Sequence, residues 1–173
     1  MTAEIRRLTP ELVTVELLGP FAPADRWAEA EAGSFLRRAR MHAAADDRFI
    51  GVAFLDGEPV GAVEAQDYGT SLWRSFRIVR MHDLFVAPDR RRQGIGRELV
   101  AAALRWAGAR PDPGFVEWQA SPAAVPFYES LGLVPDYVTD VPDYPYFSVD
   151  LRRDQAAGRA LASAVRASAL GWL

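Results

Sequence analysis

Between Asp83 and Arg97 the chain reads Asp-Leu-Phe-Val-Ala-Pro-Asp-Arg-Arg-Arg-Gln-Gly-Ile-Gly-Arg. An apolar strand runs into an arginine cluster, then Gly-x-Gly, then an amphipathic helix. That order builds an anion cradle. Glycine lacks Cβ, so backbone N–H groups can approach a phosphate closely. The helix that follows presents unpaired N–H groups and the positive end of its dipole. Arg91, Arg92 and Arg97 add charge-assisted donors suited to phosphate oxygens. A dinucleotide-binding turn would need a third glycine, and Leu99 stands in its place.

The rest of the chain supplies one α+β domain. Glu4–Leu8 reads as a short first strand, and a helical stretch runs from Pro23 to about Ala45. Phe49–Leu55 reads as a buried strand, Asp56-Gly57 as a hairpin turn, and Pro59–Ala65 as the returning strand. Tyr68–Ser75 reads as a loop and Ile78–Val86 as another strand. Together these make an antiparallel meander. Gly94–Ala109 is a helix with Ile95, Leu99, Ala102, Ala103 and Trp106 on one face. Phe115–Gln119 is a short strand. Ser121-Pro122 opens a helix that ends at Gly132. Tyr137–Thr139 and Tyr146–Leu151 pair as a last hairpin. The tail from Asp154 is alanine-rich and helical, an extension of the domain at 1–153.

What the composition lacks excludes several chemistries. There is no cysteine, so disulfides, thiol nucleophiles and cysteine metal sites are out. All 20 basic residues are arginine, which removes lysine Schiff bases and the lysine-bearing P-loop. Two histidines, His42 and His82, do not make a multi-histidine metal site. A formal charge of −3 argues against nucleic acid as a partner. No apolar run is long enough to span a membrane, and Met1–Arg7 has no apolar signal core. The expectation is a cytoplasmic protein.

The cradle resembles the acetyl-CoA signature of the GNAT superfamily of N-acetyltransferases, [RQ]-x-x-G-x-[GA]; Arg91-x-x-Gly94-x-Gly96 matches it in full. The superfamily's second motif is a polar residue, A-x-x-F-Y, then glycine and an apolar residue. Ser121, Ala124, Phe127, Tyr128, Gly132 and Leu133 match it in order. The element order is similar from Glu4 to Leu151. The resemblance implies a central mixed, mostly antiparallel sheet flanked by helices, with acetyl-CoA as co-substrate.

Carried over residue by residue, the resemblance implies that backbone groups of Leu84, Phe85 and Val86 pair with the pantetheine arm. It places the pyrophosphate on the amides of Gln93, Gly94, Ile95, Gly96 and Arg97, and phosphate oxygens on Arg91 and Arg92. A strand bulge near Leu84 would aim an N–H at the thioester carbonyl, where oxyanion charge develops. Tyr128 resembles the general acid that protonates the departing thiolate; as a plain core aromatic it would need only a satisfied hydroxyl. The sequence departs from the pattern at Ser121, where asparagine is common, and at Pro126. A proline inside a helix removes an N–H and clashes with the preceding turn. The helix is therefore expected in two pieces, a tight turn at Pro122–Val125 and a helix from Pro126.

Acetyl transfer to an amine needs a neutral nitrogen, so a base or a water chain must take a proton. His82 leads, on the strand before the cradle, with an ordinary imidazole titration near neutrality. Asp83, on the opposite face if strand alternation holds, Glu64 on the neighbouring strand, and water are the alternatives. As a packing residue His82 would be buried and hydrogen-bonded. Asp136, Tyr137, Asp140, Asp143, Tyr144 and Tyr146 suit a cationic amine by charge and cation–π contact, and equally suit turns. Polyamine, aminoglycoside, amino-acid and peptide N-terminal acceptors stay open. The leading expectation is a small-molecule N-acetyltransferase. A non-catalytic acyl-CoA-binding module and a protein N-terminal acetyltransferase are the alternatives. Leu161, Val165 and Trp172 form an apolar stripe on the tail helix, which points to a homodimer.

Overall fold

A computed structural model describes residues 3–21, 29–73, 75–138, 140–141 and 143–152. The helix expected beyond Asp154, its apolar stripe, and the start of the helix expected at Pro23 lie outside them. Six strands form one sheet: β1 (Glu4–Arg7), β2 (Arg48–Leu55), β3 (Glu58–Thr70), β4 (Arg77–Val86), β5 (Phe115–Gln119) and β6 (Tyr146–Asp150). They are adjacent in chain order. β1 and β3 each pair antiparallel with β2, β4 pairs parallel with β5, and β5 antiparallel with β6. Among the described residues four α-helices accompany them: α1 (Val15–Leu18), α2 (Glu29–Ala44), α3 (Ile95–Gly108) and α4 (Val125–Glu129).

The described residues fall into two compact units. One runs to Gln66 and takes in Asp83–Ala103; the other holds Asp67–His82 and the residues from Leu104 onward. In the first, Leu8, Val13, Leu18, Ala39 and Val52 form a buried cluster. The two-residue turn behaves as expected. Asp56 and Gly57 have φ of 52° and 86°, the left-handed pair that matches the twist of a tight hairpin. A bulge between Ala53 and Phe54 shifts the β2–β3 register. α1 is a short turn capped by the Thr14 hydroxyl, which accepts from the Leu17 N–H at 3.2 Å.

In the second unit, Trp118 stacks on Phe147 with ring centroids 6.0 Å apart, and Tyr128 packs against both at 5.2 and 5.0 Å. Two expectations are corrected there. β3 continues through Tyr68 and Gly69 to Thr70, so the loop begins only at Ser71. Gly69, read from sequence as the tip of the loop, lies inside the strand with φ 75°, and its N–H donates to the Asp67 carboxylate at 2.8 Å. The last hairpin is also replaced. β6 pairs along its whole length with β5, and among the described residues before it Asp136 makes an isolated bridge to Tyr146; Thr139 of the expected strand lies outside the described residues. The apolar alternation of Phe147 and Val149 matches Val116 and Trp118 better than the exposed Tyr137-Val138 run.

Asp67 is the buried ionic centre of this unit. Its side chain is 2% exposed and receives Arg77 at 2.6 Å and Arg110 at 2.8 Å. Burial alone pushes its carboxyl up. The hydrogen bonds from Arg77, the Gly69 N–H and Arg110 outweigh that, so the group titrates below its ordinary 3.8. A depressed carboxyl contributes stability above its unfolded value and loses it as pH falls through the folded one. Asp67→Asn is expected to cost about 3 kcal/mol at neutral pH, the scale of an uncompensated buried pair. Urea midpoints should show the gap between variant and parent closing as pH falls below 3.8. A gap that persists undiminished in acid would mean that the charge of Asp67 carries no stability.

Candidate active site

The cradle lies within the first unit. β4 ends at Val86, and the Ala87 N–H donates to the Val60 carbonyl at 2.9 Å, tying the strand end to β3. Pro88–Arg90 forms one 3-10 turn, closed by Arg90 N–H to Ala87 O at 2.8 Å. Arg91 Nε donates back to the Val86 carbonyl at 3.1 Å, fastening the turn. Arg92 then adopts φ 63° and Gly94 φ 82°. Glycine takes that conformation freely, whereas for arginine it costs about 1–2 kcal/mol. Such strain persists where the surrounding structure demands a particular backbone path, and it clusters at binding sites. α3 starts immediately afterwards, with Glu98 N–H to Gly94 O at 3.1 Å as its first turn. The N–H groups of its opening residues therefore have no carbonyl within the helix. Arg90, Arg91, Arg92, Gln93 and Gly94 are all exposed, while Ile95 and Leu99 are buried beneath them.

Gly61, unremarked in the sequence, explains how close these parts come. A Cβ there would lie 2.9 Å from the Phe85 carbonyl oxygen and 3.0 Å from Leu99 Cδ1. Only a glycine lets β3 pass that near the strand end and the helix that frame the cradle. Phe85 is further steadied by an edge contact with Phe21, centroids 5.5 Å apart.

Tyr128 sits on α4 in the second unit. A 3-10 turn at Pro122–Ala124 precedes the helix, so the two-piece expectation holds, with the break one residue earlier. Pro126 occupies the first turn of α4, where a missing N–H is harmless. The Ser121 side chain makes no capping bond; the turn is closed by Ala124 N–H to the Ser121 carbonyl at 2.8 Å. Gly132 carries φ 79°, the left-handed conformation expected of it. Tyr128 is 5% exposed, and desolvation pushes its phenol well above the ordinary range.

The candidate bases have unlike surroundings. Glu64 Oε1 is held by Arg48 at 2.5 Å and His42 Nδ1 at 3.0 Å, so that oxygen is committed to an ion pair. His82 is exposed rather than buried, and its Nε2 lies 3.4 Å from the Tyr68 hydroxyl. Asp83 is exposed too, so strict alternation fails between these neighbours. Two consecutive exposed residues on a strand are what a local irregularity in the ladder produces.

A model of the acetyltransferase (GNAT) family matches residues 13–133. The chain belongs to that family. The matched region of this GNAT protein holds both sequence motifs up to Gly132 and Leu133. An uncharacterized N-acetyltransferase of Archaeoglobus fulgidus is 39% identical over 56 residues, 32% of this chain. The match spans 38% of that relative's length. Among solved structures, an aminoglycoside acetyltransferase from an uncultured soil metagenomic sample superposes with TM-score 0.63 and 25% identity, over 82% of this chain and 99% of that one. A PaiA N-acetyltransferase from Thermoplasma acidophilum, in complex with coenzyme A, superposes with TM-score 0.58 and 16% identity, over 87% and 99%. The GNAT fold expected from the sequence is thus the observed one. No helix among the described residues is long and apolar enough to cross a membrane.

Proposed function

We propose that the protein transfers the acetyl group of acetyl-CoA to a primary amine of a small molecule by direct attack. The observation that carries this reading is the strained, exposed, arginine-rich turn at Arg91–Gly94 opening onto α3. Coenzyme A in the Thermoplasma relative and the aminoglycoside acetyltransferase among the similar structures support it. Bound here, acetyl-CoA supplies the acyl group as a thioester. The N–H groups of Gln93, Gly94, Ile95, Gly96 and Arg97 hold its pyrophosphate, aided by the terminal nitrogens of Arg91 and by Arg92. Backbone groups of Leu84, Phe85 and Val86 hold the pantetheine arm, and Ser121 adds a hydroxyl. Tyr128 gives its proton to the departing thiolate. His82 receives the proton that the amine loses, ahead of Asp83 and Glu64. The sequence ground for a non-catalytic acyl-CoA module is the interrupted helix at Pro126; the segment is in two pieces, and Pro126 falls in the first turn of α4, where its missing N–H is harmless to the turn that carries Tyr128.

Acetyl-CoA is expected to raise the melting temperature, because a ligand bound only to the native state stabilises it by mass action. At a concentration 100 times Kd the gain is about 2.7 kcal/mol. Gly96→Asp should abolish the shift by placing a side chain and a negative charge where phosphate belongs. A variant that still binds CoA normally would show the cradle to be misassigned. A thiol-release screen over an amine library then tests the acceptor class. Release with peptides alone would point to N-terminal acetylation, and the absence of release with every amine tested would remove the transfer reading.

A further inference from the structure

On β4, β5 and β6 the pairing registers set a row of polar side chains on one sheet face. Arg80 stands beside Glu117, and Glu117 beside Ser148. The intervening residues Val79, Met81, Val116, Trp118, Phe147 and Val149 are buried, so they take the other face. Arg80 Nη2 donates to Glu117 Oε1 at 2.7 Å. Its guanidinium lies 5.9 Å from the centre of the Tyr68 ring, within cation–π range. The Tyr68 hydroxyl in turn lies 3.4 Å from His82 Nε2. Tyr68 is 56% exposed and His82 is exposed, so a solute can reach both.

Acting as a base, His82 must be unprotonated, and a neutral imidazole offers one acceptor nitrogen. With the ring hydrogen on Nδ1, that acceptor is Nε2, 3.4 Å from the phenol oxygen, and the phenol is its donor. A proton from outside then reaches Nε2 by way of the phenol oxygen. We propose that Tyr68 is a catalytic proton relay between the acceptor amine and His82. The inference rests on the amine-acetylation reading. The N–H bond of the ammonium breaks as an O–H bond forms at Tyr68. The original Tyr68 O–H bond breaks as an N–H bond forms at His82 Nε2. The phenol ends neutral, the imidazole carries the charge, and the amine holds the lone pair with which it attacks. Water takes the proton from the exposed imidazolium afterwards. Glu117 anchors Arg80, and Arg80 fixes the Tyr68 ring. The charged and titratable groups grouped with the pair are Arg80 on β4, Glu117 on β5 and the Tyr146 phenol on β6, which acts on Arg80.

The chain has two histidines, so nitrogen NMR resolves both and His82→Gln assigns them. The relay expects the wild-type His82 to carry its hydrogen on Nδ1 when neutral, and Tyr68→Phe to shift it toward Nε2. It expects Tyr68→Phe and His82→Gln each to lower kcat/KM for the amine by about a hundredfold, and the double variant no further. Both should lose the acidic limb of the pH profile. The phenylalanine keeps the ring under Arg80, so folding is not at issue. An unchanged tautomer, an unchanged rate, or losses that multiply would overturn the relay. The tautomer measurement needs no acceptor. Wild-type turnover with an indifferent Tyr68→Phe therefore sinks the relay alone, whereas no turnover of any amine sinks the acetylation reading and the relay with it.

Discussion

Gly114→Ala is expected to leave the protein unable to hold its fold at ordinary temperature. A Cβ at Gly114 would lie 2.0 Å from the Arg77 carbonyl oxygen and 2.8 Å from the Arg77 nitrogen. Both are backbone atoms, so no side-chain rotation relieves the clash. Nor can Arg77 retreat. Its Nη1 is paired with Asp67 at 2.6 Å and its Nε donates to the Pro111 carbonyl at 2.7 Å. Gly114 is held from its other side, where its carbonyl accepts the Leu151 N–H at 2.8 Å. The close approach sets the start of the parallel ladder, Ile78 beside Phe115. Overpacking in a core costs about 1–3 kcal/mol where side chains can yield. With backbone on both sides the cost should exceed about 4 kcal/mol, a large share of the stability of a domain this size. Gly108→Ala is the control, since a Cβ at that position meets nothing within 4 Å. It should be neutral or stabilising by up to about 1 kcal/mol from helix propensity. Urea unfolding of the two variants beside the parent checks both. Equal midpoints would mean that β5 does not start against Arg77.

The sequence reading captured what is local. The Asp56-Gly57 turn, the β4 end and the glycine-rich turn before α3 are each coded within a dozen residues, and each falls where the pattern placed it. Gly114 carries no local signal of its role, because its constraint comes from Arg77 on another strand. Asp67 looked like the approach to a loop, since its partner Arg110 is 43 positions away and no periodicity links them. The pairing of β6 with β5 escaped for the same reason. A nearby short run, Tyr137–Thr139, offered a shorter loop, but burying Phe147 and Val149 against Val116 and Trp118 is worth more than loop closure saves. In the candidate site, the arginine- and glycine-rich turn that opens α3 follows from chain order alone. The company of each titratable group does not. Glu64 read as a reachable base and is found in an ion pair; His82 read as a strand residue and is found beside Tyr68, 14 positions earlier.

Tyr128→Phe should lower kcat by about a hundredfold while acetyl-CoA still raises the melting temperature. The substitution removes one oxygen and keeps the ring, so contacts with Trp118, Phe127 and Phe147 at 5.2, 4.9 and 5.0 Å survive. Stability should change by less than about 1.5 kcal/mol, the worth of one neutral hydrogen bond. Burial pushes the phenol above its ordinary range, so it stays protonated throughout any workable assay. Tyr128 should therefore add no limb to the pH profile, and the limb assigned to His82 should persist in the variant. A phenol raised in this way looks too weak an acid for a thiolate. The same exclusion of water penalises the thiolate, however, and lifts the thiol alongside it. The proton thus moves between two acids raised by a common cause, and the driving force changes less than the phenol's own shift implies. The largest loss should appear with acceptors whose attack is fast, because expulsion of the thiolate then limits the rate. A kcat unchanged under conditions where chemistry is shown to limit turnover would leave Tyr128 as the packing centre of its aromatic cluster and nothing more.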